Sequence, residues 1–146
     1  MDDHPVVTFR LQGLSTAIAA AALLALSTAA LAEQVKVTLS GAAEVPPVQT
    51  MASGSGVINI GVDKSITGSV TTTGVAATMA HIHQGAADKS GPVMIPLVKS
   101  GDNGWAVPPG TKLTDEQLKV FKAGDLYVNV HSTAHPSGEI RGQLKP

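Results

Sequence analysis

From Gln34 onward the chain alternates short apolar and polar stretches with glycine- and proline-rich breaks. Gln34-Val35-Lys36-Val37-Thr38-Leu39 has the two-residue period of a half-buried strand, and Gly41 ends it. Glu44-Val45-Pro46-Pro47 reads as an extended loop, because proline has no N–H to give to a ladder. Gly54–Gly61 and Ile66–Thr73, the second rich in β-branched residues, form a predicted hairpin around the turn Val62–Ser65. Met79–His83 is the next strand and Gln84–Gly91 a polar loop. Pro92–Val98 is extended, its prolines suggesting an edge or a bulge. Gly101–Gly110, which holds the single tryptophan Trp105, reads as loop. Thr114-Asp115-Glu116-Gln117 is a capping box opening a short helix that ends near Ala123-Gly124, with Leu118 and Phe121 toward the core. Leu126–His131 and Glu139–Leu144 are the closing strands, joined by a hairpin loop over 133–138. About seven to eight short strands and one short helix predict an all-β fold. An antiparallel Greek-key-like sandwich or barrel fits them better than alternating βα units.

Composition narrows the chemistry. Aromatic residues make up 3% of the chain, so the core is expected to be valine, isoleucine, leucine and alanine. Cysteine is absent, which removes disulfides and thiolate metal sites. A metal would have to use imidazole, carboxylate, backbone or thioether ligands. Residues 1–32 have the parts of a signal peptide: Arg10 near the start, the apolar run Leu14–Leu26, and Ala30-Leu31-Ala32 as a small-x-small site. Cleavage is expected before Glu33, leaving a domain over 33–146 that is exported, periplasmic or extracellular. The run is shorter than the ~20 residues of a membrane span, so no span is expected after cleavage. Setting Arg10, Asp2 and Asp3 aside from 10 basic and 11 acidic residues leaves 9 of each in the domain. Such a balance offers no basic surface for nucleic acid or anionic lipid.

The candidate chemistry is in the histidines. In a strand, residues two apart share a face, so Met79, His81 and His83 point one way and Ala80 and Ile82 the other. In Leu126–His131, Tyr127, Asn129 and His131 share a face. If the two strands pair with these faces together, three imidazoles converge. Three neutral nitrogens with an open position are the layout of an exchangeable or reactive metal site, not a closed structural one. Imidazole suits copper and zinc, and copper binds such ligands most strongly among divalent ions. Copper is the first expectation and zinc the second, with Met79 a possible thioether ligand favouring Cu(I). The alternative is that the histidines, Tyr127 and Asn129 form a hydrogen-bonded polar network on one sheet face.

The remaining polar residues are weaker candidates. His135, beside Pro136, is either a fourth ligand or a solvated loop residue. Glu139 and Arg141 share a face of the last strand. They read as a cross-strand ion pair or, with Arg141 in a catalytic part, as a guide for an anion near the metal. Glu44 reads as a solvated loop carboxylate. No Ser/His/Asp spacing, nucleophile elbow or phosphate loop is present.

Leu39-Ser40-Gly41 through Glu44-Val45-Pro46-Pro47-Val48, Ala80-His81-Ile82-His83-Gln84-Gly85, Gly91-Pro92-Val93, and Tyr127-Val128-Asn129-Val130-His131 with Gly138-Glu139-Ile140-Arg141-Gly142-Gln143-Leu144 together resemble the CHRD domain. That domain is named from chordin and also stands alone in exported bacterial proteins. The resemblance covers essentially the whole domain and implies a β-rich extracytoplasmic module without bringing an established activity. His81, His83 and His131 match its pattern, whereas His135 stands where the family more often has asparagine. A more distant likeness is to copper-zinc superoxide dismutase, which also has a His-x-His strand in a β-sandwich and an arginine near the copper. This chain lacks that family's paired cysteines and histidine-rich zinc loop. Three functions follow as expectations: extracytoplasmic metal handling or simple redox chemistry, a non-catalytic module binding an envelope or extracellular protein, and superoxide dismutation.

Overall fold

A computed structural model describes residues 30–146 of the chain. The expected leader lies outside the described residues except for its last three. The described residues fold into nine strands and one α-helix: β1 (Leu31–Ser40), β2 (Ser53–Gly61), β3 (Ile66–Thr73), β4 (Ala77–Gln84), β5 (Val93–Pro96), β6 (Val98–Ser100), β7 (Gly104–Ala106), α1 (Asp115–Lys122), β8 (Leu126–Ser132) and β9 (Ile140–Leu144). The expected cleavage point after Ala32 falls within the first residues of β1.

All nine strands belong to one sheet, in the order β5-β4-β8-β9-β1-β2-β3-β7-β6, and every pairing is antiparallel. The two ends of that order, β5 and β6, are separated in sequence by Leu97 alone, so the chain itself brings the sheet's edges together. The N–H of Leu97 donates to the carbonyl of Ala80, 2.9 Å away. The result is a nearly closed barrel, which settles the choice between sandwich and barrel.

Two stretches differ from the sequence expectation. Pro92–Val98 is two edge strands rather than one, and it breaks at Leu97, where the chain passes from one end of the sheet to the other. Opposite β5, the ladder of β4 is irregular between Ile82 and His83. Within the expected loop Gly101–Gly110, Trp105 lies in β7, paired with Val70 on one side and Lys99 on the other. A three-residue strand is too short to show a period of two. Trp105 and Phe121 are buried and join the otherwise aliphatic core.

The inward faces carry that core: Val35, Val37 and Leu39 of β1, Ile58 and Ile60 of β2, Ala80 and Ile82 of β4, and Leu126, Val128 and Val130 of β8. Removing each such branched side chain from water contributes about 1.5–3 kcal/mol. Helix α1 begins at a complete capping box. Thr114 Oγ1 accepts from the Gln117 N–H at 3.1 Å, and Gln117 Oε1 accepts from the Thr114 N–H at 2.9 Å. As expected, the helix buries Phe121 and packs Leu118 against the core. Among the described residues no helix is long and apolar enough to cross a membrane.

Strand β8 is unlike the others, because all seven of its residues are buried. Its inward side faces the aliphatic core. Its outward side carries Tyr127, Asn129 and His131, and three loops cover it: residues 41–52, 85–92 and 133–139. Burial of the polar groups on that outward side is costly unless each finds a partner. That requirement builds the candidate site.

Candidate metal centre

Strands β4 and β8 pair in the register that sets Met79 opposite His131, His81 opposite Asn129 and His83 opposite Tyr127. Directly opposed residues share a face, so the His-x-His of β4 and the histidine of β8 stand side by side on the outside of the barrel. One ring nitrogen from each of His81, His83 and His131 lies within 4.8 Å of the other two. His81 Nδ1 is 3.1 Å from His131 Nε2. Two nitrogens bound tetrahedrally at the usual ~2.0–2.1 Å stand about 3.3 Å apart, so this pair is already at ligand spacing.

Backbone carbonyls decide which nitrogens are free. His83 Nδ1 lies 2.9 Å from the Gly91 carbonyl and His131 Nδ1 lies 2.9 Å from the Pro136 carbonyl. A carbonyl only accepts, so each Nδ1 carries the proton and each Nε2 keeps its lone pair. His83 Nε2 is buried and has no hydrogen-bond partner. A buried acceptor left unpaired costs roughly 1–3 kcal/mol, and a cation among the three rings would remove that cost. Burial holds His81 below the ordinary imidazole range, and the nearby His131 and His83 add to the effect. Burial also lowers His83, against the Gly91 carbonyl, which favours its charged form. Both rings are thereby kept neutral, the state in which imidazole binds a metal.

A second layer fixes His83 from behind. Its ring stacks on Tyr127, centroids 4.9 Å apart and planes 7° from parallel. The Arg141 guanidinium lies 3.4 Å from the centre of that phenol ring. Tyr127 Oη accepts from the Gly91 N–H at 2.9 Å, so Gly91 is held by Tyr127 while its carbonyl holds His83. A Cβ at Gly91 would come within 1.6 Å of the Gln84 carbonyl oxygen, so the approach requires glycine.

The remaining sequence candidates stand outside the trio of imidazoles. His135 is half-buried and takes no part in the cluster; its backbone N–H donates to Ser132 Oγ at 3.0 Å. Met79 is 48% exposed at the rim, beside His131. Arg141, at 2% exposure, donates Nη1 to the Lys89 carbonyl and Nη2 to the Ala86 carbonyl. Its donors face the covering loop, a different arrangement from an anion guide at the metal. Nor does Arg141 pair with Glu139, whose carboxylate accepts from Thr50 Oγ1 at 2.6 Å and is held below the usual carboxylate range by hydrogen bonds from Ser132 and Thr50.

Glu44 is the main correction. It is 8% exposed, not solvated, and its carboxylate accepts from Asn129 Nδ2. Burial raises its pKa, against the Asn129 hydrogen bond and the charge of Arg141. The expected polar network of Tyr127, Asn129 and the histidines therefore exists alongside the imidazole cluster, extended by Glu44, Arg141 and the loop carbonyls. The only hint in the sequence was that Tyr127 and Asn129 share the face of His131. An apolar groove of about 240 Å³ between α1 and the ends of β1 and β2 shares no lining residue with this cluster.

No curated protein and no solved structure matches the chain. A family model, the CHRD domain, matches residues 35–144. That span runs from Val35 in β1 to Leu144 in β9. It takes in the three histidines, the loops that cover them and the arginine behind them, and the chain belongs to the CHRD domain family.

Proposed function

We propose that this protein is an exported domain that binds one copper ion through His81, His83 and His131 and serves metal handling outside the cytoplasm. The carrying observation is the buried, unpartnered Nε2 of His83, held within 4.8 Å of two further imidazole nitrogens. Three neutral imidazoles leave at least one coordination position open, which suits exchange or simple redox chemistry. Zinc is the alternative ion for the same ligands. Export rests on the leader pattern of residues 1–32 and on the setting in which the family's domains are expected.

Calorimetric titration of the purified domain with Cu(II) and with Zn(II) tests the reading. About one ion per chain is expected, with binding lost in His83→Ala and His131→Ala variants whose circular dichroism is unchanged. An inert wild-type domain overturns it. Family membership favours a second reading, a non-catalytic module that binds an envelope or extracellular protein. Partner capture from the protein's own compartment, unaffected by chelator and by His83→Ala, would support that reading instead.

A further inference from the structure

We infer that the centre takes up its copper as Cu(I), with the Met79 thioether as the first ligand the ion meets. This inference rests on the three-imidazole reading above and adds the oxidation state and the route. The four side chains form a series from solvent inward. Met79 is 48% exposed, His81 is partly buried, and His131 and His83 are buried at 7% and 8%. Met79 stands two residues before His81 on the same face and directly opposite His131. Opposed residues have Cβ atoms about 4.5–5.5 Å apart, so the flexible thioether can reach an ion bound at His131 Nε2.

Local backbone supports the placement. The β4–β8 ladder is irregular between Ala77 and Met79, and such irregularities re-aim the side chain that follows. Thr78 Oγ1 donates to the His131 carbonyl at 3.3 Å, tying the strands together at this point. A purely packing role fits Met79 poorly. Methionine serves cores by filling irregular gaps, and a half-exposed side chain fills none. Softness makes thioether a ligand for Cu(I) and a poor one for Zn(II). Uptake is then simple ligand exchange. A bond from Cu(I) to its carrier breaks as the bond to Met79 Sδ forms, and His131 Nε2 and His83 Nε2 then displace the remaining carrier ligands while the bond to Sδ is kept. His81 completes the set once its proton has moved from Nδ1 to Nε2 by exchange through water, which leaves the ring neutral and Nδ1 free to bind. No electron is transferred.

The test is anaerobic, reductant-maintained loading from a coloured Cu(I)–bicinchoninate complex, followed by stopped flow, in wild type and Met79→Leu. Leucine keeps volume and apolarity, so the fold is preserved. Loading is expected to slow on the order of tenfold or more in the variant, as for loss of a supporting metal contact, while its Zn(II) affinity stays within about twofold of wild type. X-ray absorption at the copper edge should show a sulfur scatterer in wild type and none in the variant. Equal Cu(I) loading rates with no sulfur scatterer overturn the role of Met79 and leave the imidazole site standing. A wild-type domain that takes neither ion overturns both.

Discussion

His81 Nδ1 and His131 Nε2 face each other at 3.1 Å across the β4–β8 ladder. Because the Pro136 carbonyl takes the proton of His131 Nδ1, His131 offers a lone pair to this contact, and His81 must supply the proton when no metal is there. Protonating His81 or His83 adds charge to a crowded, partly dry cluster. The folded-state pKa values of His81 and His83 therefore lie below the ordinary 6.5. Below 6.5 the unfolded chain binds more protons than the folded one, so this part of the stability is complete above 6.5 and is lost as pH falls through the folded values. The metal-free wild type should lose more Tm between about pH 7 and pH 5 than a His81→Gln/His83→Gln variant does. Glu44, whose folded pKa is raised, acts in the opposite direction in both proteins and cancels in the comparison. Parallel Tm profiles would show that the cluster carries no such penalty.

Tyr127→Phe keeps the ring between Arg141 and His83 but removes the oxygen that accepts the Gly91 N–H. That donor is left in a covered site, a loss of about 1–3 kcal/mol in urea unfolding. The same change frees the carbonyl that sets the proton of His83, so metal affinity should fall roughly 10–100-fold. A variant with lower stability and unaltered affinity would separate Gly91 from the metal site.

The outward faces of β4 and β8 were legible because alternation places His81 with His83 and Tyr127 with His131 before any pairing is known. Their meeting was conditional, since forty-one residues lie between Gln84 and Leu126 and nothing periodic names a partner across that distance. Glu44 was illegible for another reason. A single carboxylate beside two prolines looks the same whether its loop stands in water or folds over Asn129, and only the tertiary cover on β8 decides. Trp105 was missed because three strand residues cannot display alternation. Gly91 read as one more loop glycine, its meaning being a close approach to Gln84 that appears only in three dimensions.

Arg141 should be the hardest residue on the outward face to replace. Its guanidinium bridges the Lys89 and Ala86 carbonyls and reaches Gln143 Oε1 at 3.2 Å while lying on Tyr127. Lysine keeps the charge but cannot span two carbonyls from one planar group. Arg141→Lys is expected to cost about 2–3 kcal/mol, and Arg141→Met more, because both carbonyls then lose a charged donor. Proteolysis within residues 85–91 should quicken in step with the loss of stability. A fully stable Arg141→Met would show that the loop holds its position without the guanidinium.

Glu44 and Asn129 give the last expected outcome. Glu44→Gln keeps an oxygen to accept from Asn129 Nδ2 while removing a carboxylate whose ionisation is opposed by burial. At neutral pH that variant should be as stable as wild type or more stable, because the cost of burying the charge disappears. Glu44→Ala instead strands the amide, which keeps only its 3.3 Å contact to the Ile140 carbonyl, and should cost about 1–3 kcal/mol. Gly138→Ala probes the same spot from the other side. Its new Cβ would come within 2.7 Å of Glu44 Oε1 and 2.6 Å of Asn129 Nδ2, at a φ of +131° that side chains rarely adopt. Gly138→Ala and Glu44→Ala in one chain should cost less than the sum of the two, since Glu44→Ala removes the oxygen that the new Cβ would strike. Strict additivity in urea unfolding would place the strain of Gly138→Ala in the backbone and against Asn129 rather than against Glu44.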